Sequence, residues 1–473
     1  MVDRSEIKEL VFKQPYIKET ARVCDCVDIN EKDVEENVKK ATSYAILSHR
    51  WLPTGELKFR DFLKLKSLSL AGLGGLIESP DKLGELKELR GAAILKKASE
   101  AYVPSPTGTR DGWEVLRNME KIADFLSGKN HLAHDFVKLV KFCKVVRDHK
   151  KQYNCDYVWM DTGCINKDSS AQQEESIRSM FRWYQNSRIC IVHLGETISA
   201  PDIQQGGEPW FTRGWTLQEL LAPKEIKIFT KSWLPLTTKP NDKIGDEELG
   251  IPLWKRISKI THIPEAQLLG QFEPGTDNVR EKMVWASGRN TMRIEDVAYC
   301  LIGIFGVSLS IAYGEGKMAF YRLQVEILKS SHDHGLFAWN GSPSFHNSIL
   351  AAGPEAFAGP PLTVEKDPAV SADPYMLTNC GLSIWLSIYG VVEQGSKYGL
   401  EGLERIEVPP QIKDHKLMIG ILGNSTAGRK SIAIVLESVS STNRQYKRIT
   451  EHDVFELQHP DCDWKPPERI HIK

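Results

Sequence analysis

Apolar positions along this chain fall into two kinds of run, and the two kinds alternate. Tyr44 to Leu47, Tyr157 to Met160, Ile189 to Leu194 and Ile226 to Phe229 are short and continuous, the pattern of strands buried on both faces. Between them, Phe136, Leu139, Val140, Cys143 and Val146 recur at helical spacing, as do Ile177, Met180, Phe181 and Tyr184. A short helix from Trp215 to Leu221 stops before Pro223. Strands and helices in this order predict βαβ units and a parallel sheet. Ligands of such sheets bind outside the carboxyl ends of the strands, which directs attention to 161–168 and 195–213.

The pattern changes twice more. Residues 240–340 read as mostly helical, with apolar helices expected over 295–305 and through KMAFYRLQVEILKSS. From about Ser342, GLSIWLSIYGVV, HKLMIGILG and KSIAIVLESV are separated by Pro-rich segments, predicting a β-rich sandwich or partly open barrel. Ala21 to Ile29 is a further strand candidate, before the charged segment 30–40. The domain reading is a lead-in over 1–40, an α/β core over 41–235, a helical extension over 236–341 and a β-rich domain over 342–473. Gly-, Pro- and Ser-rich sequence at about 60–130 reads as an insertion too thin in apolar residues for its own core.

A net charge of −1 argues against nucleic acid as a partner. No run of 18 apolar residues predicts a membrane span, and the N-terminus is too charged for a secretory signal. The nine cysteines lack framework spacing and suit a reducing, cytoplasmic compartment. Cys24 and Cys26 are too close for a zinc knuckle and have no second pair, so no metal site is expected.

The candidate chemistry is acidic, basic and aromatic. Glu219 lies four residues after Trp215, on the same helical face, with Arg213 just before. Thr212 and Arg213 fall near a helix N-terminus, where phosphate is attracted. Ser48, His49, Arg50 and Trp51 follow the first strand and Asp161 follows the second. Together these residues suit a nucleotide with a cation-forming centre. Structural alternatives stand beside each assignment. Glu219 can be a buried partner of Arg213 or Arg50, Trp215 core, Asp161 a turn cap, and His49 a satisfied imidazole. Glu174 and Glu175 read as helix-start acids. Nothing sets a histidine beside Cys164, and no phosphate-cradling Gly-rich loop is present.

YAILSHRW, YVWMDTGCINKDSSAQQEESIRSMFRWYQNS, WFTRGWTLQELLAPKEIKIF and the long stretch beginning WASGRNTMRIEDVAYC resemble the fungal heterokaryon-incompatibility (HET) domain and its extension. The resemblance spans about residues 20–340, and the 60–130 insertion departs from compact relatives. It implies non-self recognition and programmed cell death. It also implies a distant likeness to TIR domains, hence a flavodoxin-like sheet and, in some members, NAD cleavage. Trp215-Thr-Leu-Gln-Glu219-Leu220 resembles the segment carrying the TIR catalytic glutamate, with Thr216 in place of the customary Cys. On that likeness Glu219 would be catalytic, and Ser48, His49, Arg50, Trp51, Asp161, Arg213 and Trp215 would bind NAD or a related nucleotide as substrate, with no cofactor. A homo-oligomer on activation, or a protein partner, is also implied.

Overall fold

The computed structural model describes residues 43–51, 56–63, 119–124, 134–155, 157–205, 207–244, 253–359, 364–365, 375–394, 397–403, 406–414, 416–425, 430–440, 444–450, 452–458 and 465–473. The strand expected at 21–29, the segment 30–40, Cys24 and Cys26, and most of the 60–130 insertion lie outside these residues. The chain forms two compact units. One draws on 1–169, 184–194 and 223–242, the other on 170–183, 195–222 and 243–473.

The first unit is built on four parallel strands, β1 (Tyr44–His49), β2 (Tyr157–Trp159), β3 (Ile189–His193) and β4 (Ile226–Phe229), in the order β2-β1-β3-β4. Continuous apolar sequence is what the two central strands require. Ala45, Ile46 and Leu47 of β1 and Ile189 to Val192 of β3 are fully buried. On one face, Ala45, Leu47, Ile189 and Ile191 share a core with Phe136, Leu139, Val140 and Val146 of α1 (His134–Asp148). The predicted stripe is thus the buried one, widened by Phe142 and Val145. Tyr184, near the end of α2 (Ser170–Asn186), donates its hydroxyl to the Leu47 carbonyl at 3.1 Å. Register sets His49 of β1 beside His193 of β3, and His193 beside Phe229 of β4.

Lys227 of β4 shows how a charge is held inside. Its ammonium donates to the Thr237 carbonyl, the Thr237 hydroxyl, the Lys239 carbonyl and Asp242, all within 2.7–3.0 Å. A buried charge persists only when its bonding capacity is met in this way.

In the second unit α3 (Thr216–Leu221) precedes the helical stretch, to which α4 (Val279–Ser287) and the helix Met318–Ser330 belong. The continuous helix expected over 295–305 is two helices, Asp296–Tyr299 and Ile302–Phe305. The turn between them tightens, with Leu301 N–H bonded to the carbonyl three residues back on Ala298 at 3.0 Å. Apolar periodicity survives such a break, so periodicity alone could not locate it. Gly303 sits against Phe181, where an added Cβ would come 2.2 Å from the Phe181 Cβ and 2.5 Å from its ring. Gly303→Ala is therefore expected to destabilise the second unit by about 1–3 kcal/mol, read as a lower thermal midpoint. An unchanged midpoint would contradict this packing.

The C-terminal strands include Gly381–Gln394, Leu417–Ser425, Lys430–Ser440, Gln445–Arg448 and Glu468–Ile472. The long strand Gly381–Gln394 pairs with Glu468–Ile472 through 382–386 and with Leu417–Ser425 through 387–390. The pairing path therefore closes on itself through Gly381–Gln394. The three long apolar runs read from sequence are the three longest of these strands.

Candidate functional site

The carboxyl rim of the parallel sheet carries a compact polar cluster. Trp51, two residues past β1, donates its indole N–H to Asp161 Oδ2 at 3.0 Å. Lys167 Nζ stands 3.7 Å from the centre of the Trp51 ring and 3.7 Å from the same carboxylate oxygen. His49 Nε2 lies 4.0 Å from Asp161 Oδ1 and 3.8 Å from Glu56 Oε1. Glu56 in turn accepts from Lys138 of α1. Trp51 and Asp161 meet because β1 and β2 are adjacent parallel strands whose ends open onto the same edge.

Burial separates the members of this cluster. The side chains of His49, Glu56 and Lys138 are all but buried, whereas Asp161 is 18% and Lys167 38% exposed. Burial pushes the Lys138 ammonium below its ordinary pKa, and Glu56 beside it opposes that shift. Asp161, Trp51 and Lys167 are therefore the groups a ligand could reach. Arg50 is half-buried at the rim, while Ser48 is fully buried within it.

His193, at the end of the neighbouring strand, stacks on Trp233 with ring centroids 4.3 Å apart. Burial first, and the charge of Lys138 second, lower its pKa from 6.5 to about 4. Between those values the unfolded chain holds a proton on this imidazole and the folded chain does not. The resulting stability is present above about pH 6.5 and lost as pH falls toward 4. His193→Phe is expected to lessen the drop in unfolding free energy between pH 7 and pH 5. An equal drop in both proteins would contradict the assignment.

The second constellation lies in the second unit, around Arg213 to Glu219. Arg213 and Asn290 form a β-bridge, with Gly214 N–H bonded to the Asn290 carbonyl at 2.9 Å and Asn290 N–H to the Thr212 carbonyl at 2.6 Å. Gly214 is required there, since a Cβ would approach Thr291 Cγ2 to 2.6 Å. Two motifs quoted separately from the sequence, WFTRGWTLQELL and WASGRNTM, are thus joined.

Arg289 is the residue that sequence reasoning missed. Its guanidinium donates to the Trp285 carbonyl (3.0 Å), the Arg213 carbonyl (2.9 Å) and the Thr216 hydroxyl (3.0 Å). Burial lowers its pKa to about 10, and the nearby Glu219 carboxylate opposes that shift. Glu219, on α3, is 9% exposed. Its electrostatic counterpart includes Arg289, where the sequence pattern had pointed to Arg213 or Arg50. Trp215 is half-buried and hydrogen-bonds Asp296. Thr216, in the place of the customary Cys, also donates to the Trp210 carbonyl at 2.7 Å, a bond a thiol makes weakly.

Three other acids serve the backbone. Glu208 accepts from Glu196 N–H, Thr197 N–H and Trp210 N–H, and Glu295 accepts from Gly314 N–H and Gly316 N–H. Asp242 accepts from Ile228 N–H. Glu174 pairs with Arg178 four residues on. Among the described residues no group of three or more His, Cys, Asp or Glu could hold a metal ion, and no helix is long and apolar enough to cross a membrane.

Residues 129–206 match the family model described as Heterokaryon incompatibility protein (HET). Vegetative incompatibility protein HET-E-1 of Podospora anserina is 39% identical over 204 residues, a stretch that covers 40% of this chain and 14% of that protein. The chain thus corresponds to a small part of that relative's length. No solved structure matches.

Proposed function

Since this chain carries a heterokaryon-incompatibility (HET) domain, we propose that it acts in heterokaryon incompatibility as an effector of programmed cell death. We further propose that it does so by hydrolysing the nicotinamide–ribose bond of NAD. The observation that carries the chemical part is the rim of the parallel sheet. The order β2-β1-β3-β4 reverses direction between β1 and β3, and His49 and His193 face each other across that point. Flavodoxin-like sheets bind their ligands at such a switch point, which favours the TIR-like reading of the fold.

In the proposed reaction the bond from ribose C1′ to the pyridinium nitrogen breaks. Its electron pair leaves with nicotinamide, which departs neutral. Water adds to the oxocarbenium-like carbon and loses a proton. The leaving group already carries positive charge, so no strong general acid is needed. A carboxylate that stabilises the sugar cation suffices. Within the second unit Glu219 is assigned that role, Trp215 the stacking on a planar ring and Arg213 the pyrophosphate; within the first, Arg50, Trp51, His49 and Asp161 are candidate nucleotide contacts.

A second reading rests on the 9% exposure of Glu219 and its charge compensation by buried Arg289. On that reading the carboxylate is structural, and the domain signals by self-association or by binding a protein partner. Induced expression of the chain in a filamentous fungus separates the two. The enzymatic reading expects death from the natural chain and survival with Glu219→Gln at equal protein level. Undiminished death with the variant would favour the signalling module.

A further inference from the structure

Residues 333–339 leave the helical stretch for the C-terminal strands, and both sides of the second unit take hold of them. Leu336, Phe337 and Ala338 are fully buried. Three consecutive carbonyls there are taken by two arginines from different elements. Arg280 of α4 donates through Nε to the Ala338 carbonyl at 2.9 Å. Arg448, at the end of the strand Gln445–Arg448, donates to the Phe337 carbonyl at 2.7 Å and to the Trp339 carbonyl. Its guanidinium also lies 3.8 Å over the Trp339 ring. Arg448 is buried, and burial lowers its pKa to about 9. A cation so placed is tolerated only while those carbonyls stay where they are.

Further bonds tie the segment on each side. Toward the strands, His334 Nδ1 lies 2.6 Å from the Leu422 carbonyl, and the Trp339 indole N–H donates to the Ile349 carbonyl at 2.9 Å. Toward α4, Asp333 accepts from Val279 N–H at the start of that helix and from Gly335 N–H, both at 2.7 Å. Gly335 lets the two approach closely, since a Cβ there would come 2.8 Å from Asp333 Oδ1 and 3.2 Å from Arg280 Cβ. At its other end α4 leads to Arg289. That residue bonds the Trp285 carbonyl inside α4, and the Arg213 carbonyl and Thr216 hydroxyl at the start of the helix that carries Glu219. A continuous set of bonds therefore runs, within one unit, from the C-terminal strands to α3.

We propose that residues 333–339 form a strap through which the C-terminal strands hold α4 and, by way of Arg289, set the position of the helix carrying Glu219. A partner that shifts those strands then acts on Glu219 without touching it. The proposal concerns how this helix is held and uses no step of NAD cleavage, so the two readings fail separately. Hydrogen exchange of the full chain, followed by mass spectrometry, tests it. Arg448→Met should speed exchange in 279–287 and in 216–221 about tenfold and leave 136–146 and 189–193 of the first unit unchanged. Trp339→Phe keeps a ring beneath Arg448 and removes the bond to Ile349. It is the milder variant should the first lose its fold, and it should give the same pattern on a smaller scale. Arg289→Met should speed exchange in 216–221, and adding Arg448→Met to it should bring no further change there. Faster exchange confined to 333–339 and 444–448 would overturn the proposal. Additive effects of Arg448→Met and Arg289→Met on 216–221 would also overturn it.

Discussion

Lys138→Met is expected to destabilise the first unit by about 3–5 kcal/mol, the cost of leaving one member of a buried ion pair behind. The Lys138 side chain is 5% and its partner Glu56 6% exposed, so water cannot take over when the ammonium is removed. His49 lies 3.8 Å from the Glu56 carboxylate and is cationic only if protonated. Replacing both partners, as Lys138→Met with Glu56→Leu, should recover most of the loss, because the desolvation cost of each charge disappears with it. Urea denaturation of the two single variants and the double variant measures this directly. A loss below about 1 kcal/mol in Lys138→Met would show that the pair is hydrated in solution. A second consequence follows at His193, whose pKa should rise once the neighbouring positive charge is gone.

Glu219→Gln is expected to lower nicotinamide release from NAD by about 100-fold or more, the scale seen when a charge-stabilising group is removed from a transition state. The amide keeps the size and one acceptor of the carboxylate but cannot balance a sugar cation. The same substitution also removes negative charge beside buried Arg289, so stability must be read alongside activity. A loss of turnover with the thermal midpoint preserved fits the catalytic role. A lower midpoint with turnover per folded molecule unchanged fits a structural carboxylate instead.

The sheet was legible because its evidence is local. Residues 189–192 form a short continuous apolar run of the kind a strand covered on both faces requires, and α1 shows its buried stripe at 3.6-residue spacing. The rim was legible in part. Trp51 and Asp161 could be placed at adjacent strand ends by topology, and the structure joins them by a hydrogen bond. The partners that give the rim its charge were not legible. Glu56, Lys138 and Lys167 carry no motif, and their meeting depends on how α1 packs and how the chain turns after β2. Arg289 escaped for the same reason, since its bonds are to backbone carbonyls and a hydroxyl, which any segment could supply. The break in the helix at 300–301 escaped because apolar residues are buried on both sides of it, Ala298 and Tyr299 before and Ile302, Ile304 and Phe305 after.

The proposed NAD cleavage is tested most directly by incubating the purified chain with NAD and following free nicotinamide by chromatography. The account predicts nicotinamide and an ADP-ribose product in equal amounts from the natural chain, rising with protein concentration if assembly activates it. NAD left intact at every concentration, by protein that still kills when expressed, would contradict it.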